Sequence, residues 1–471
     1  MTSWSPAAPL VTSTPQSDAP EAASAIQGGT PRAVRLSLPG GPPVDAFALA
    51  GESGILLAAS DRVLVGLGRS LTLDLPRGLA NDADVDAAMS RLSALPCDDV
   101  LGGSSAGHAV LAFGALPFLR TSPASLVVPE LTYCREGDGR EWVTLVSPDG
   151  SGLPDPSDPA AGAALRTRIL ALTDQRVTAP PAVQRPVTEA KSSDSDFVQS
   201  VAAAVDAIRR GTLVKVVLAR TVEVFLAQDI DVPDLLARWA ELEPSCTIFA
   251  LPTAAGRFVG ASPELLVERS GAHVRSRPLA GTIGRIHDGD GGLPSALLES
   301  AKDGEEHRLV VDAIRAELAP LCTELQVPER PELVHLHTIT HLGTTIDGTL
   351  RSDSDGTAPT ALHLVARLHP TPAVCGVPRL AATDLISRLE PEPRGAYAGP
   401  VGYVDASGDG RWMVGIRALT VTGRSATMTA GVGIVAESDP STELLETRLK
   451  FRAVFDALAP GSVFEPGQPD A

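Results

Sequence analysis

The constraint that bears hardest on this chain is a change of texture near Asp196. From about Val34 to Val146 the sequence runs in short β-like segments broken by Gly and Pro. Arg62–Gly68 and Leu71–Leu75 alternate apolar and polar residues, which predicts the two strands of a hairpin. Leu131–Cys134 and Glu141–Val146 flank Arg135-Glu-Gly-Asp-Gly-Arg140 and predict a second one. Beyond Asp196 the period lengthens. Phe197, Val201, Val205 and Ile208 share one helical face up to Arg210, and a strand from Leu213 to Phe225 follows. Helix and strand segments then alternate to the end, with hairpins expected around Gly256 and Gly408. Between the two textures, Ser147–Asp196 is rich in Pro, Ala, Ser and Asp. It reads as a surface connection carrying one helix, Gly162–Leu172.

At 471 residues, with 44% of them apolar, a large core is feasible. No run of about 18 uncharged apolar residues predicts a membrane span. Met1–Ala33 lacks a basic start and an apolar block, and is expected to be a disordered leader rather than a secretory signal. Pro460–Ala471 reads as a loose tail. The five cysteines are scattered and form no CxxC pair, which suits a reducing cytoplasm and argues against a disulfide framework or a zinc site. A net charge of −18 argues against a nucleic-acid partner, and means that any anion site must be built locally. Gly66-Leu-Gly68 lacks the third glycine and helix of a dinucleotide fingerprint.

The sharpest compositional fact is lysine scarcity. Of 39 Lys plus Arg, only Lys191, Lys215, Lys302 and Lys450 are lysine. Where arginine serves for general positive charge, a surviving lysine is a candidate for losing a proton, which a guanidinium does not do. Lys215 lies in the apolar run Leu213-Val-Lys-Val-Val-Leu218, where desolvation would favour the neutral amine. Glu264, in Ser262-Pro-Glu-Leu-Leu-Val267, is a carboxyl set among apolar residues, as suits a general acid. Asp303 and Glu306 lie three apart in one helical segment, and Glu443 and Glu446 in another, with Lys450 four beyond. Each pair shares a helix face, and together they offer up to four oxygen donors to a hard cation such as Mg²⁺. Glycine- and proline-rich turns at Arg277–Thr282, His369–Gly376 and Ala430–Val435 could bring backbone N–H groups to an anion. Taken singly, each feature reads as readily as a solvated helix face, the wet side of a strand or an ordinary turn.

Taken together and in this order, the segments resemble the chorismate-utilising enzymes: isochorismate, salicylate, anthranilate and aminodeoxychorismate synthases. The resemblance covers Phe197–Leu458 most fully, and Leu111–Phe118 is similar to a family strand. It implies a single large α+β unit of two stacked antiparallel sheets flanked by helices. In that unit 34–195 is the N-terminal part and 196–459 the catalytic region. It implies that Glu306 and Glu446 hold Mg²⁺, with Asp303 and Glu443 close by, and that Glu264 protonates the departing C4 hydroxyl. Arg417, Lys450, Gly281 and Gly431 would hold substrate carboxylates. His341, Ala373, Val374 and Tyr397 would line the pocket, with Thr282 beside Gly281. Lys215 separates family members: those using ammonia carry Gln there, those using water carry Lys. The expectation is therefore an isochorismate synthase that acts on chorismate, with Lys215 as the base. Salicylate synthase is the alternative, ranked lower because such enzymes tend to carry Thr near Val374. A non-catalytic chorismate-binding homologue is disfavoured because acid, base and metal ligands are all present. A monomer is the simpler expectation, and His369–Gly376 resembles the isochorismate synthases that feed siderophore or menaquinone pathways.

Overall fold

The computed structural model describes residues 30–99, 110–174, 186–191, 193–284, 293–354 and 356–464. Most of the expected leader and the last residues of the tail lie outside that set. The strand Arg32–Ser37 begins within the span read as leader.

Two large sheets and one small sheet carry the chain. The first runs, neighbour to neighbour, through Val187–Ala190, Lys215–Phe225, Ser425–Ile434, Ala418–Thr422, Gly256–Ser262, Thr247–Thr253, Ile55–Ala58, Arg62–Leu67, Leu131–Glu136, Glu141–Ser147, Arg32–Ser37 and Cys97–Asp99. Gly376–Val377 adds to it beside Lys215. The second runs from Cys322–Gln326 through Ile346–Leu350, His273–Arg277, Leu265–Ser270, Gly410–Val414, Pro400–Asp405, Leu111–Ala115 and Ala124–Val128 to Leu71–Leu75. Among the described residues every pairing is antiparallel except that of Arg32–Ser37 with Cys97–Asp99. The two sheets stack on the alternate residues that face each other: Leu57, Leu64, Phe249 and Phe258 from one, Leu111, Phe113 and Val401 from the other.

Helices close the outer faces, as expected of two stacked sheets with helices outside. Val232–Leu242 buries Leu235, Leu236 and Trp239, and Pro440–Leu458 buries Phe451, Val454 and Phe455, in a cluster on the first sheet. Each such side chain contributes about 1.5–3 kcal/mol on leaving water. Asp194–Arg209 starts where the texture changes, and Phe197, Val201, Val205 and Ile208 are its buried face. Ser193 caps it, accepting from the Asp196 amide while the Asp196 carboxylate accepts from the Ser193 amide.

The hairpins at 131–147, around Gly256 and around Gly408 form as expected. The hairpin of 62–68 with 71–75 does not. Both segments are strands, but Arg62–Leu67 pairs with Ile55–Ala58 and Leu131–Glu136 in the first sheet, while Leu71–Leu75 pairs with Ala124–Val128 in the second. Alternation fixes the strand state; the partner is decided by which buried face each segment covers. The 147–196 connection is more than surface. Its helix, Pro159–Thr173, buries Ala161, Leu165 and Ile169 completely. The small third sheet, Leu279–Gly284, Ile339–Gly343 and Glu332–His335, was not legible as a separate unit.

Candidate active site

Lys215 opens the long strand Lys215–Phe225, and side-chain alternation puts Lys215 and Val217 on one face. The partner strand passes Gly433 opposite Val217 and Gly431 opposite Ala219. Glycine at 433 is required by close approach: a Cβ there would lie 2.1 Å from Glu306 Oε1 and 3.1 Å from Lys215 Cε. Lys215 is fully buried, and its Nζ forms an ion pair with Glu306 Oε1 at 2.9 Å. No hydrogen-bond partner of good geometry meets that Nζ among the described residues. The Glu306 carboxylate is thus the partner that holds this amine among the described residues.

Glu264 follows the strand Gly256–Ser262 and is 2% exposed. Ser262 Oγ donates to the Val414 carbonyl and the Val414 amide donates to the Glu264 carbonyl, which pins the turn. Burial pushes the Glu264 carboxyl up to about 8, against the opposing pull of the Leu279 amide and of Lys215, Arg417 and Lys450. At neutral pH it carries its proton.

The two acidic segments are helical, as their spacing predicts. Ala301–Leu318 presents Asp303 and Glu306 in its first turns, and Pro440–Leu458 presents Glu443, Glu446 and Lys450. Burial works to raise the Glu306 carboxyl, but the charges of Lys215, Lys450 and Lys302 hold it below its ordinary value. Glu443 and Asp303 are raised, first by burial, then by the neighbouring Glu446 and Glu306 respectively. Gly281, with φ +75, lets the third sheet approach Asp303: a Cβ would sit 3.1 Å from Asp303 Cβ.

His341 pairs across that sheet with Thr282. Its Nδ1 lies 3.0 Å from the Gly281 carbonyl and 3.1 Å from Thr282 Oγ1. A carbonyl only accepts, so Nδ1 carries the proton and Nε2 accepts from Arg417 Nη2 at 2.9 Å. Burial, with Arg417 and Lys450 beyond it, keeps the ring neutral. Among the described residues Arg417 Nε is buried without a hydrogen-bond partner, a donor left for an anion. Arg417 and Ala398 are the two non-glycine residues with positive φ among the described residues, +51 and +60, and both line the cleft. Such outliers persist where surrounding structure over-determines them, as at active sites.

The cleft is narrow, with a cavity volume of about 60 Å³. Of the residues expected from sequence, Glu264, Gly281, Thr282, Glu306, His341, Ala373, Val374, Tyr397, Arg417, Gly431, Glu446 and Lys450 line it. Lys215 lies directly behind Glu306 and Gly433, and Glu443 and Asp303 lie behind the lining. Lys450 Nζ donates to the Gly431 carbonyl at 2.8 Å and pairs with Glu446 at 2.5 Å. Sequence reasoning missed Arg394. Its guanidinium donates to the carbonyls of Val374 at 2.6 Å and Val217 at 2.7 Å, and pairs with Glu390 at 2.5 Å, tying two walls of the cleft together. Nothing set this arginine apart from the others in the sequence. A larger groove, lined by Arg120, Glu317, His363 and Arg379 among others, opens elsewhere and contains none of the expected residues.

A bound Mg²⁺ can be weighed against these donors. Among the described residues no three His, Cys, Asp or Glu side chains are grouped as a ready cage. Glu306 and Glu446 both reach the cleft. Two carboxylates with room for water and substrate oxygens suit Mg²⁺, which seldom takes an all-protein cage. No helix among the described residues is long and apolar enough to cross a membrane.

Comparison with known proteins gives the same reading. The chain is 41% identical over 283 residues to the isochorismate synthase DhbC of Bacillus subtilis, covering 58% of this chain and 69% of that one. It is 34% identical over 346 residues to the isochorismate synthase EntC of Escherichia coli, covering 73% and 80%. The crystal structure of DhbC from Bacillus anthracis superposes with a TM-score of 0.70 at 30% identity, over 88% of this chain and 99% of that one. The family model described as chorismate binding enzyme matches residues 81–459. With its stacked sheets, its cleft and these relatives, the chain belongs to the chorismate-binding enzymes.

Proposed function

We propose that this enzyme is an isochorismate synthase in which Lys215 and Glu264 act as base and acid on chorismate. The observation that carries the reading is a carboxyl lining the cleft, Glu264, held protonated at neutral pH by burial, with a fully buried lysine, Lys215, behind the same wall against Glu306. Relatives over most of the chain's length bear the same name.

Water is a poor nucleophile and hydroxide a poor leaving group, so the reaction needs a base at C2 and an acid at C4. Lys215, as the free amine, takes a proton from water as its oxygen bonds to C2. The C1–C2 double bond shifts to C1–C6, the C5–C6 double bond shifts to C4–C5, and the C4–O bond breaks. Glu264 gives its proton to the departing oxygen. One water enters and one leaves, so chorismate and isochorismate are isomers. Arg417, through its unpartnered Nε, and Lys450 offer the local positive charge that a chain of net −18 lacks. Neutral His341 holds Arg417 in place through Nε2.

Glu306 and Glu446 would hold Mg²⁺, which supplies, when bound, positive charge for the ring carboxylate. EDTA should therefore silence purified enzyme by roughly 10²-fold or more, and added Mg²⁺ should restore it. Full turnover in chelator would remove the metal from the scheme. The site chemistry is the same whether isochorismate goes on to a siderophore or to menaquinone, and the enzyme works as a soluble cytoplasmic monomer.

A further inference from the structure

Three of the chain's four lysines converge on the carboxylate cluster, and each takes one carboxylate. Lys215 pairs with Glu306 at 2.9 Å, Lys302 with Glu443 at 2.9 Å and Lys450 with Glu446 at 2.5 Å. The fourth, Lys191, pairs with Glu223 at 2.8 Å away from this cleft. Lys215 and Lys450 have work in the proposed reaction. Lys302 has none: it is not part of the cleft lining, and its side chain is 36% exposed. Yet it joins the two acidic helices across 141 residues of sequence, and its ammonium lies within electrostatic reach of Glu306 and Glu446 as well as Glu443.

We propose that Lys302 is a built-in counterion that competes with the divalent cation for this carboxylate cluster and so sets how tightly the metal binds. This rests on the reading of Glu306 and Glu446 as metal ligands. The carboxylates of Asp303, Glu306, Glu443 and Glu446 lie within electrostatic reach of one another and repel, and the ammonium groups of Lys302 and Lys450 offset part of that repulsion. A divalent ion entering the cluster meets those same positive charges. Each ammonium within several ångströms opposes it, and the oxygens it takes must leave a lysine partner. An enzyme whose substrate brings its own carboxylate to the ion gains from this arrangement. The ion binds loosely to the protein alone and firmly only with substrate, so neither is trapped without the other.

The sign of the effect separates this role from a structural one. If Lys302 only braced Glu443, removing it would loosen the site and weaken Mg²⁺ binding. If it competes, removing it strengthens binding. Titration calorimetry with Mg²⁺ alone, without chorismate and at low salt, is expected to show Lys302→Gln binding on the order of tenfold more tightly than wild type. Lys302→Arg should restore the wild-type affinity, Lys191→Gln should not change it, and the gap should narrow as salt is raised. Equal or weaker binding by Lys302→Gln would overturn the proposal while leaving the metal site standing. Absence of any Mg²⁺ binding by the wild type would overturn the metal reading, and this inference with it.

Discussion

Lys215→Arg should be as inactive as Lys215→Ala, with kcat on chorismate down about 10²–10⁴-fold in each. The arginine variant is the more telling one. It keeps a positive charge beside Glu306, which in the wild type meets Lys215 Nζ at 2.9 Å. A guanidinium cannot surrender a proton at accessible pH, so a donor partner for Glu306 is kept and proton transfer is lost. Loss in alanine alone would mean that Lys215 serves only to neutralise Glu306. Loss in both places the amine in the chemistry. Steady-state kinetics with a product assay, supported by chorismate binding in the presence of Mg²⁺, separates the two. KM should change far less than kcat, because the groups suited to hold the substrate carboxylates are Arg417 and Lys450.

Glu264→Gln should be nearly dead and, above neutral pH, harder to unfold than wild type. Burial raises the Glu264 carboxyl from its ordinary 4.5 to about 8. A group whose folded value is raised favours the folded state fully at low pH. That benefit is lost as pH climbs through the window from about 4.5 to about 8, because the unfolded chain releases the proton first. By pH 8 the accumulated penalty is on the order of 4 kcal/mol, at 1.36 kcal/mol for each pH unit. Glutamine has the shape of the protonated acid and does not titrate. Denaturant titrations at pH 5 and pH 8 should show the variant losing less stability between the two than wild type does. An unchanged pH slope would mean that Glu264 is ionised in the folded enzyme and is not the acid. In the active wild type, the same proton predicts that kcat/KM falls as pH rises past about 8.

The parts of the structure that could be read in the sequence are those decided locally. The helical face of Phe197, Val201, Val205 and Ile208, and the hairpin at 131–147, follow from the spacing of apolar residues over one segment. The partner of Leu71–Leu75 does not. It lies some fifty residues on, in a different sheet from the strand just before it, and only the assembled core selects it. The same holds within the site. Lysine scarcity and the three-residue spacing of carboxylates singled out Lys215, Glu306 and Glu446, because each is a property of a short stretch. The pairing of Lys302 with Glu443 brings together two helices far apart in sequence, and spacing holds no trace of it. Arg394 was hidden for a different reason. Its task is to donate to the carbonyls of Val217 and Val374, and a bond to a backbone carbonyl places no demand on the identity of the residue that accepts it. The positive φ values of Ala398 and Arg417 are likewise imposed by their surroundings.

The proposed reaction adds water from solvent at C2 while the original C4 oxygen departs. Purified enzyme given chorismate and Mg²⁺ in ¹⁸O-enriched water tests this directly. The predicted product is isochorismate with one ¹⁸O in its ring hydroxyl at C2, with no salicylate or pyruvate. An unlabelled hydroxyl would contradict addition of solvent water, and salicylate with pyruvate would show that the cleft carries the reaction past isochorismate.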